Sequence, residues 1–181
     1  APSDEWLMPV ESMNLALYQD KTTNLYGYKN QHGQIMISAK FYNALEFVDD
    51  KAIVTNKNYK KGIIDKSGNY LVEPKEGIII EYCNKDAYVA YRTNSSSRNN
   101  YALFNYKGEN LTGFKYSSMS EFKNGLVAVT FFLDDFSCEV GCRGSYSATV
   151  YRSGSIDANG NVVGELEVIA NDSWYPDYCV T

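Results

Sequence analysis

Short apolar runs alternate with polar, glycine-bearing turns along this chain, and the alternation follows one template. In Lys61-Gly62-Ile63-Ile64-Asp65-Lys66-Ser67-Gly68 an apolar run enters a polar turn, and Asn69-Tyr70-Leu71-Val72 leaves it. Two such runs around a Gly-containing turn predict a β-hairpin. The same pattern stands at Tyr26 to Gly33, Tyr101 to Gly108 and Ser153 to Gly160, so the hairpin occurs four times. In each copy a small residue (Gly27, Gly62, Ala102, Gly154) sits six positions before the turn glycine. No amphipathic helix of full length stands out, and short helical turns are expected only in links such as Phe41 to Phe47.

The register continues beyond the hairpin. Fourteen residues after each turn glycine stands an aromatic anchor, Phe47, Tyr82, Phe122 and Trp174. Nineteen after come Ala52, Ala87, Val127 and Cys179, and twenty-one after come Val54, Val89, Val129 and Thr181. The turn glycines themselves lie 35, 40 and 52 residues apart, so length varies only in the connections between units. A fixed internal register with such a period marks a repeat architecture. The expected fold is all-β, with about four tandem antiparallel units of ~35 residues in a propeller-like, toroidal or curved solenoid array.

These residues resemble the WG-repeat family, tandem bacterial repeats built around an x-Gly hairpin. The likeness runs over roughly residues 25 to 181. It is closest in Glu121-Phe122-Lys123-Asn124-Gly125-Leu126-Val127-Ala128-Val129, beside that family's Phe-x-x-Gly-Leu-Ala-x-Val segment. The name-giving Trp is replaced by Tyr26, Lys61, Tyr101 and Ser153. The resemblance implies a scaffold for interactions and brings no catalytic residues with it.

The template divides a single domain, 1–181, into an N-terminal half-unit (1–24) and repeats at 25–60, 61–100, 101–152 and 153–181. Each sheet is expected to hold three strands, the last of one unit and the hairpin of the next. Thr93 to Asn100 is polar and of low complexity, and is expected to be solvated and mobile. Between the apolar runs Leu126 to Phe132 and Tyr146 to Arg152 lies an insertion, 133–145, that lengthens a hairpin into a finger.

Composition narrows the class. Hydrophobic residues make up 44% of the 181 positions and charged ones 22%, the balance of a soluble globular chain. A net charge of −5 argues against nucleic acid or an anionic membrane as the main partner. No apolar run approaches the ~20 residues of a membrane-spanning helix. Ala1-Pro2-Ser3-Asp4 lacks an initiator Met and reads as a terminus left by signal-peptide removal, although a trimmed chain looks the same. Four cysteines, an even count, suit an oxidising compartment, so a periplasmic or secreted location is expected.

Chemistry-bearing residues are few. His32 is the single histidine and falls in a hairpin turn, with no partner for base catalysis indicated. Asp157-Ala158-Asn159-Gly160-Asn161 echoes the start of a calcium loop, but the equivalent Asp65 and Asn105 turns explain it as turn chemistry, and the distal Glu is missing. Cys138 and Cys142 have the wrong spacing for a zinc knuckle or a redox pair, so a local disulfide closing the finger tip is the better reading. That leaves Cys83 to pair with Cys179, although four cysteines admit three connectivities. No cofactor is implied. Of the adjacent acids, Asp49-Asp50 reads as a solvated turn. Asp134 and Asp135 stand with Phe136, Glu139 and Arg143 on the finger, an aromatic ringed by charge that suits partner binding.

Two functions compete. One is a non-catalytic protein–protein interaction module of the cell envelope, such as an inhibitor or immunity protein that neutralises a secreted effector or toxin enzyme. The other is an envelope enzyme acting on glycan or peptidoglycan through carboxylates. The lack of a recognisable nucleophile, metal set or second histidine weighs against the enzyme.

Overall fold

The computed structural model describes residues 14–93, 95–139 and 145–171, with backbone alone for 134–139, 145–148 and 170–171. Those residues form strands and turns and no helix. The first sheet pairs β1 (Ala16–Gln19), β2 (Tyr26–Lys29) and β3 (Ile35–Phe41). The second pairs β4 (Asn43–Ala44), β5 (Ala52–Thr55), β6 (Lys61–Ile64) and β7 (Tyr70–Val72). The third holds β8 (Ile78–Cys83), β9 (Ala87–Arg92) and β10 (Tyr101–Asn105). The fourth holds β11 (Ser118–Lys123), β12 (Leu126–Glu139), β13 (Ser145–Asp157) and β14 (Val162–Asn171). Every pairing is antiparallel and joins neighbours in sequence.

The hairpin turns are uniform because their chemistry is local. Gly33, Gly68, Gly108 and Gly160 all have φ between 78° and 84°, a region that costs glycine nothing. Three residues earlier an Asn or Asp begins the turn. Its carbonyl accepts the glycine N–H at 3.0–3.1 Å, and its own N–H bonds the residue after the glycine. The side-chain oxygen of that Asn or Asp adds bonds to the turn, as Asp157 Oδ1 does with the N–H groups of Asn159 and Asn161, both at 2.9 Å. The Asn161 side chain, donating to Asp157 Oδ2 at 3.0 Å, and these backbone bonds after it hold the Asp157 carboxyl below the usual carboxylate range, so this is the turn that the repeat predicts.

The small residue six positions earlier has a steric cause. A Cβ on Gly27 would lie 2.4 Å from the Ile37 carbonyl oxygen, and one on Gly62 would lie 2.7 Å from that of Val72. The facing hairpin strand crosses too closely for a side chain.

Three apolar clusters hold the sheets together, each shared by two consecutive sheets. Ala52 and Val54 pack with Tyr28, Ile37 and Phe41 of the first sheet, while Ile53 between them packs with Ile80 and Tyr88 of the third. In β9, Tyr88 and Ala90 face the second sheet, whereas Ala87 and Val89 face Met119, Val127 and Ile156 of the fourth. Strands buried on both faces show no polar alternation, and β5 and β9 read as unbroken apolar runs for that reason. Each fully buried Ile or Val contributes about 1.5–3 kcal/mol.

The structure corrects several expectations. The links add strands where short helical turns were expected: β4 and β11 make the second and fourth sheets four-stranded, and β8 completes the third, in which the second half of the hairpin is only the bridge Phe104↔Asn110. The anchors Phe47, Tyr82 and Phe122 are half-buried, each packed against a core cluster from its edge; Trp174 lies outside the described residues. The hairpin is lengthened at 133–145 as expected, and its first strand runs on past Phe132 to Glu139. β12 and β13 stay paired from Leu126↔Asp157 to Glu139↔Ser145, with a bulge between Phe132 and Asp134. The polar segment before Tyr101 is tied to the base of this hairpin. The Asn99 side chain accepts from the Phe132 N–H at 2.9 Å and donates to its carbonyl at 3.0 Å. The Arg98 guanidinium lies 4.7 Å from the Phe132 ring centroid.

Candidate functional site

An opening lies where three units present the same stretch of chain. A cavity of ≈ 520 Å³ is lined by the segments 45–49, 81–86 and 121–125. Each segment ends a link strand and enters the tight turn before the next strand. In the first, Val48 and Lys51 exchange backbone bonds of 2.8 and 3.0 Å around Asp49 and Asp50, both at positive φ. In the third, Asn124 and Gly125 take the same left-handed conformation. In the second, Asn84 caps the turn, its Oδ1 accepting the N–H groups of Asp86 and Ala87 at 2.9 and 2.8 Å.

An extra residue in each link, a β-bulge within β8 and β11 and an unpaired residue just past β4, aims the residue before the aromatic anchor. Ile80 pairs with Ala90 and Tyr82 with Val89, so Glu81 is the extra residue. Met119 pairs with Val129 and Phe122 with Val127, leaving Ser120 and Glu121 opposite Ala128 alone. Leu45 bonds Ile53 and Val48 bonds Lys51, leaving Glu46 and Phe47 opposite Ala52. Bulges turn side chains that a regular ladder would point elsewhere. Here the irregularities bring Glu46, Glu81 and Glu121 to the lining of one cavity, with Asp49 and Asp86 beside them. Lys85 is the one basic residue in the lining, its Nζ 4.0 Å from Asp86. Leu45, Val48, Ile53, Tyr82 and Phe122 supply apolar surface.

The neighbouring sheets fix this rim. Tyr28, fully buried, donates its hydroxyl to the Leu45 carbonyl at 2.7 Å, and Tyr106 donates to the Asn84 carbonyl at 2.6 Å. Burial pushes both phenols well above the usual tyrosine value. Glu46 accepts the Leu17 N–H at 3.2 Å. Glu81 accepts from the Tyr101 hydroxyl, whose pKa burial first and this carboxylate second push up to about 12. Cys83 also lines the cavity and carries a free thiol, which burial pushes up to about 11 against the opposing pull of Lys51. No three carboxylate, histidine or cysteine groups among the described residues converge to hold a metal ion.

The residues singled out from sequence lie elsewhere. The backbones of Asp134, Asp135, Phe136, Cys138 and Glu139 belong to the far half of β12, where Cys138 faces Tyr146. Arg143, Cys142 and Cys179 lie outside the described residues, so neither expected cysteine pairing is seen with both partners. His32 is exposed on its hairpin tip. The cavity adjoins the N-terminal end of β12 and the finger forms its C-terminal end, roughly 40 Å away at the rise of a strand. Sequence reasoning passed over the three glutamates although the signal was there: each stands thirteen residues after its turn glycine, at 46, 81 and 121.

Neither curated proteins nor solved structures yield a match to this chain. A family does. The model of the WG containing repeat matches residues 26–60 and 101–131, and over those stretches the chain is similar to that family.

Proposed function

We propose that the chain is a non-catalytic protein–protein interaction module of the cell envelope, periplasmic or secreted, that neutralises a secreted effector or toxin enzyme by binding it. The observation that carries this reading is the β12–β13 hairpin. Its strands run 14 and 13 residues, against two to seven for β1 to β11. β11 flanks β12 only as far as Thr130, and β14 flanks β13 only from Thr149 onward. Along the outer part of the hairpin no strand lies beside β12 among the described residues, which leaves that backbone edge open. An open-edged hairpin on a rigid stack suits recognition by shape and by strand addition. It carries Asp134, Asp135, Phe136 and Glu139, with Arg143 beyond. In this reading the four sheets form an open, curved stack, in keeping with apolar clusters that link consecutive sheets.

The carboxylates around the cavity favour a second reading, an envelope enzyme acting on glycan or peptidoglycan. One experiment separates the two. Residues 134–143 are replaced by a short Gly-Ser turn, and melting temperature, affinity for a protein partner captured at fixed stoichiometry from envelope extract, and glycan turnover are measured. Unchanged melting with lost binding supports the module. Turnover that falls when Glu81 becomes Gln supports the enzyme and removes the module.

A further inference from the structure

We propose that the cavity formed by the three links is a docking pocket for a basic side chain of a protein partner, a lysine or arginine with an apolar neighbour. The proposal rests on the reading of the chain as a protein-binding module, and gives it a second contact at the end of β12 opposite the finger.

Charge complementarity selects the occupant. Five carboxylates (Glu46, Asp49, Glu81, Asp86, Glu121) meet one ammonium, that of Lys85, in the lining. The carboxylates come from three separate units, so they surround the opening instead of stacking on one loop. The hydrogen bonds that Glu46 and Glu81 already accept leave each with further acceptor sites. A compact metal ion does not fit, because no three of these groups converge on one point. A guanidinium or ammonium on an apolar stem does: its charge is shared among the carboxylates while the stem lies on Tyr82 and Phe122. Leu45 and Val48, 47% and 50% exposed, offer a seat for the apolar neighbour. A space of ≈ 520 Å³ takes more than one side chain.

The recurrence of the acid supports a role in binding. Glutamate precedes the anchor in three consecutive units, and in each a bulge or an unpaired residue turns it to the cavity. Its structural contacts differ from unit to unit: a backbone N–H for Glu46, a tyrosine hydroxyl for Glu81, and Lys123 at 3.4 Å for Glu121. No single structural need explains one residue type at all three places.

The probe is the blocked peptide acetyl-Leu-Arg-Leu-Arg-amide, titrated into the full chain and followed by amide NMR, with acetyl-Leu-Glu-Leu-Glu-amide as control. Saturable shifts confined to 45–49, 81–86 and 121–125 are expected from the arginine peptide alone, weakening as salt rises from roughly 50 to 300 mM. The variant Glu46→Gln/Glu81→Gln/Glu121→Gln should bind it about tenfold more weakly or worse. Should that variant melt early, Asp49→Asn/Asp86→Asn replaces it, with the same direction expected. Shifts spread over the acidic surface, or unchanged in both variants, would overturn the pocket. So would saturable binding of a chitin oligosaccharide at the same amides with none of the arginine peptide. A captured protein partner that binds the glutamine variant as well as the parent removes the pocket and leaves the module reading standing.

Discussion

Tyr28 and Tyr106 tie the cavity rim to the sheets on either side, and they make stability fall steeply in alkali. Both hydroxyls donate to backbone carbonyls, and burial raises both well above the ordinary tyrosine value. In the unfolded chain they titrate near 10. Above that pH the unfolded state binds fewer protons than the folded one, so stability is intact below pH 10 and declines as pH rises toward the folded values. Each such group removes about 1.4 kcal/mol per pH unit, so the pair removes roughly 5 kcal/mol between about pH 10 and 12. That is comparable with the whole stability of an ordinary domain, about 5–15 kcal/mol. The assay is urea unfolding at stepped pH, run on the parent and on Tyr28→Phe/Tyr106→Phe. At neutral pH the double variant should be less stable by about 1–3 kcal/mol, through two lost hydrogen bonds. Above pH 10 its stability should fall less steeply than the parent's by about 2.7 kcal/mol per unit. Equal alkaline slopes for parent and variant would refute the argument.

Gly27→Ala should lower stability by about 1–3 kcal/mol by thermal melting, because its Cβ would meet a backbone oxygen that can move only with β3. The Cys83 thiol, raised to about 11, should be alkylated on the order of a thousandfold more slowly at pH 8 than at pH 11 in the reduced folded protein, as followed by mass spectrometry. Asn99→Ala should cost about 1–3 kcal/mol and speed amide exchange at Phe132, whose backbone N–H and carbonyl it serves. Removal of Glu81 should straighten β8 and leave a cooperative melt within about 2 kcal/mol of the parent, whereas one residue inserted before it should abolish cooperative folding.

The hairpins were legible because their causes are local. An Asn or Asp three residues before a glycine makes its turn wherever it stands, and the close strand crossing shows as Gly27 and Gly62. The paired apolar positions of β5 and β9 were legible too, since strands between two sheets must be apolar on both faces. The link strands were not. Asn43–Ala44 is two residues long, and in Ile78–Cys83 and Ser118–Lys123 a bulge breaks the period-two pattern that identifies a strand. The apolar runs mark the finger's strands only as far as Phe132 and from Tyr146, yet pairing with Val150 and Thr149 extends β12 through Asp134 and Asp135. Tertiary pairing overrides propensity there. The cavity shows the opposite balance. Its three glutamates lie in plain register, but only the stacking of sheets reveals that register positions 35 and 40 residues apart share one opening.

The bulge joins the two aspects of the repeat, how it packs and what it presents. Ile78 and Ile80 point toward the second sheet and belong to the cluster there. In a regular strand Tyr82 would point the same way, since side chains two apart share a face. It packs instead with the cluster toward the fourth sheet, beside Val89 and Leu103. One extra residue makes that switch, and Glu81 is that residue. A strand without it could switch faces between adjacent positions just as well, with Ile80 followed directly by the aromatic. The core therefore does not require an extra residue at this place, still less an acidic one. The bulge puts a carboxylate at the cavity at the cost of a disrupted ladder, and three successive units accept that cost in the same register. An array that repeats a local irregularity, with one acid in it, is built as much around its opening as around its core.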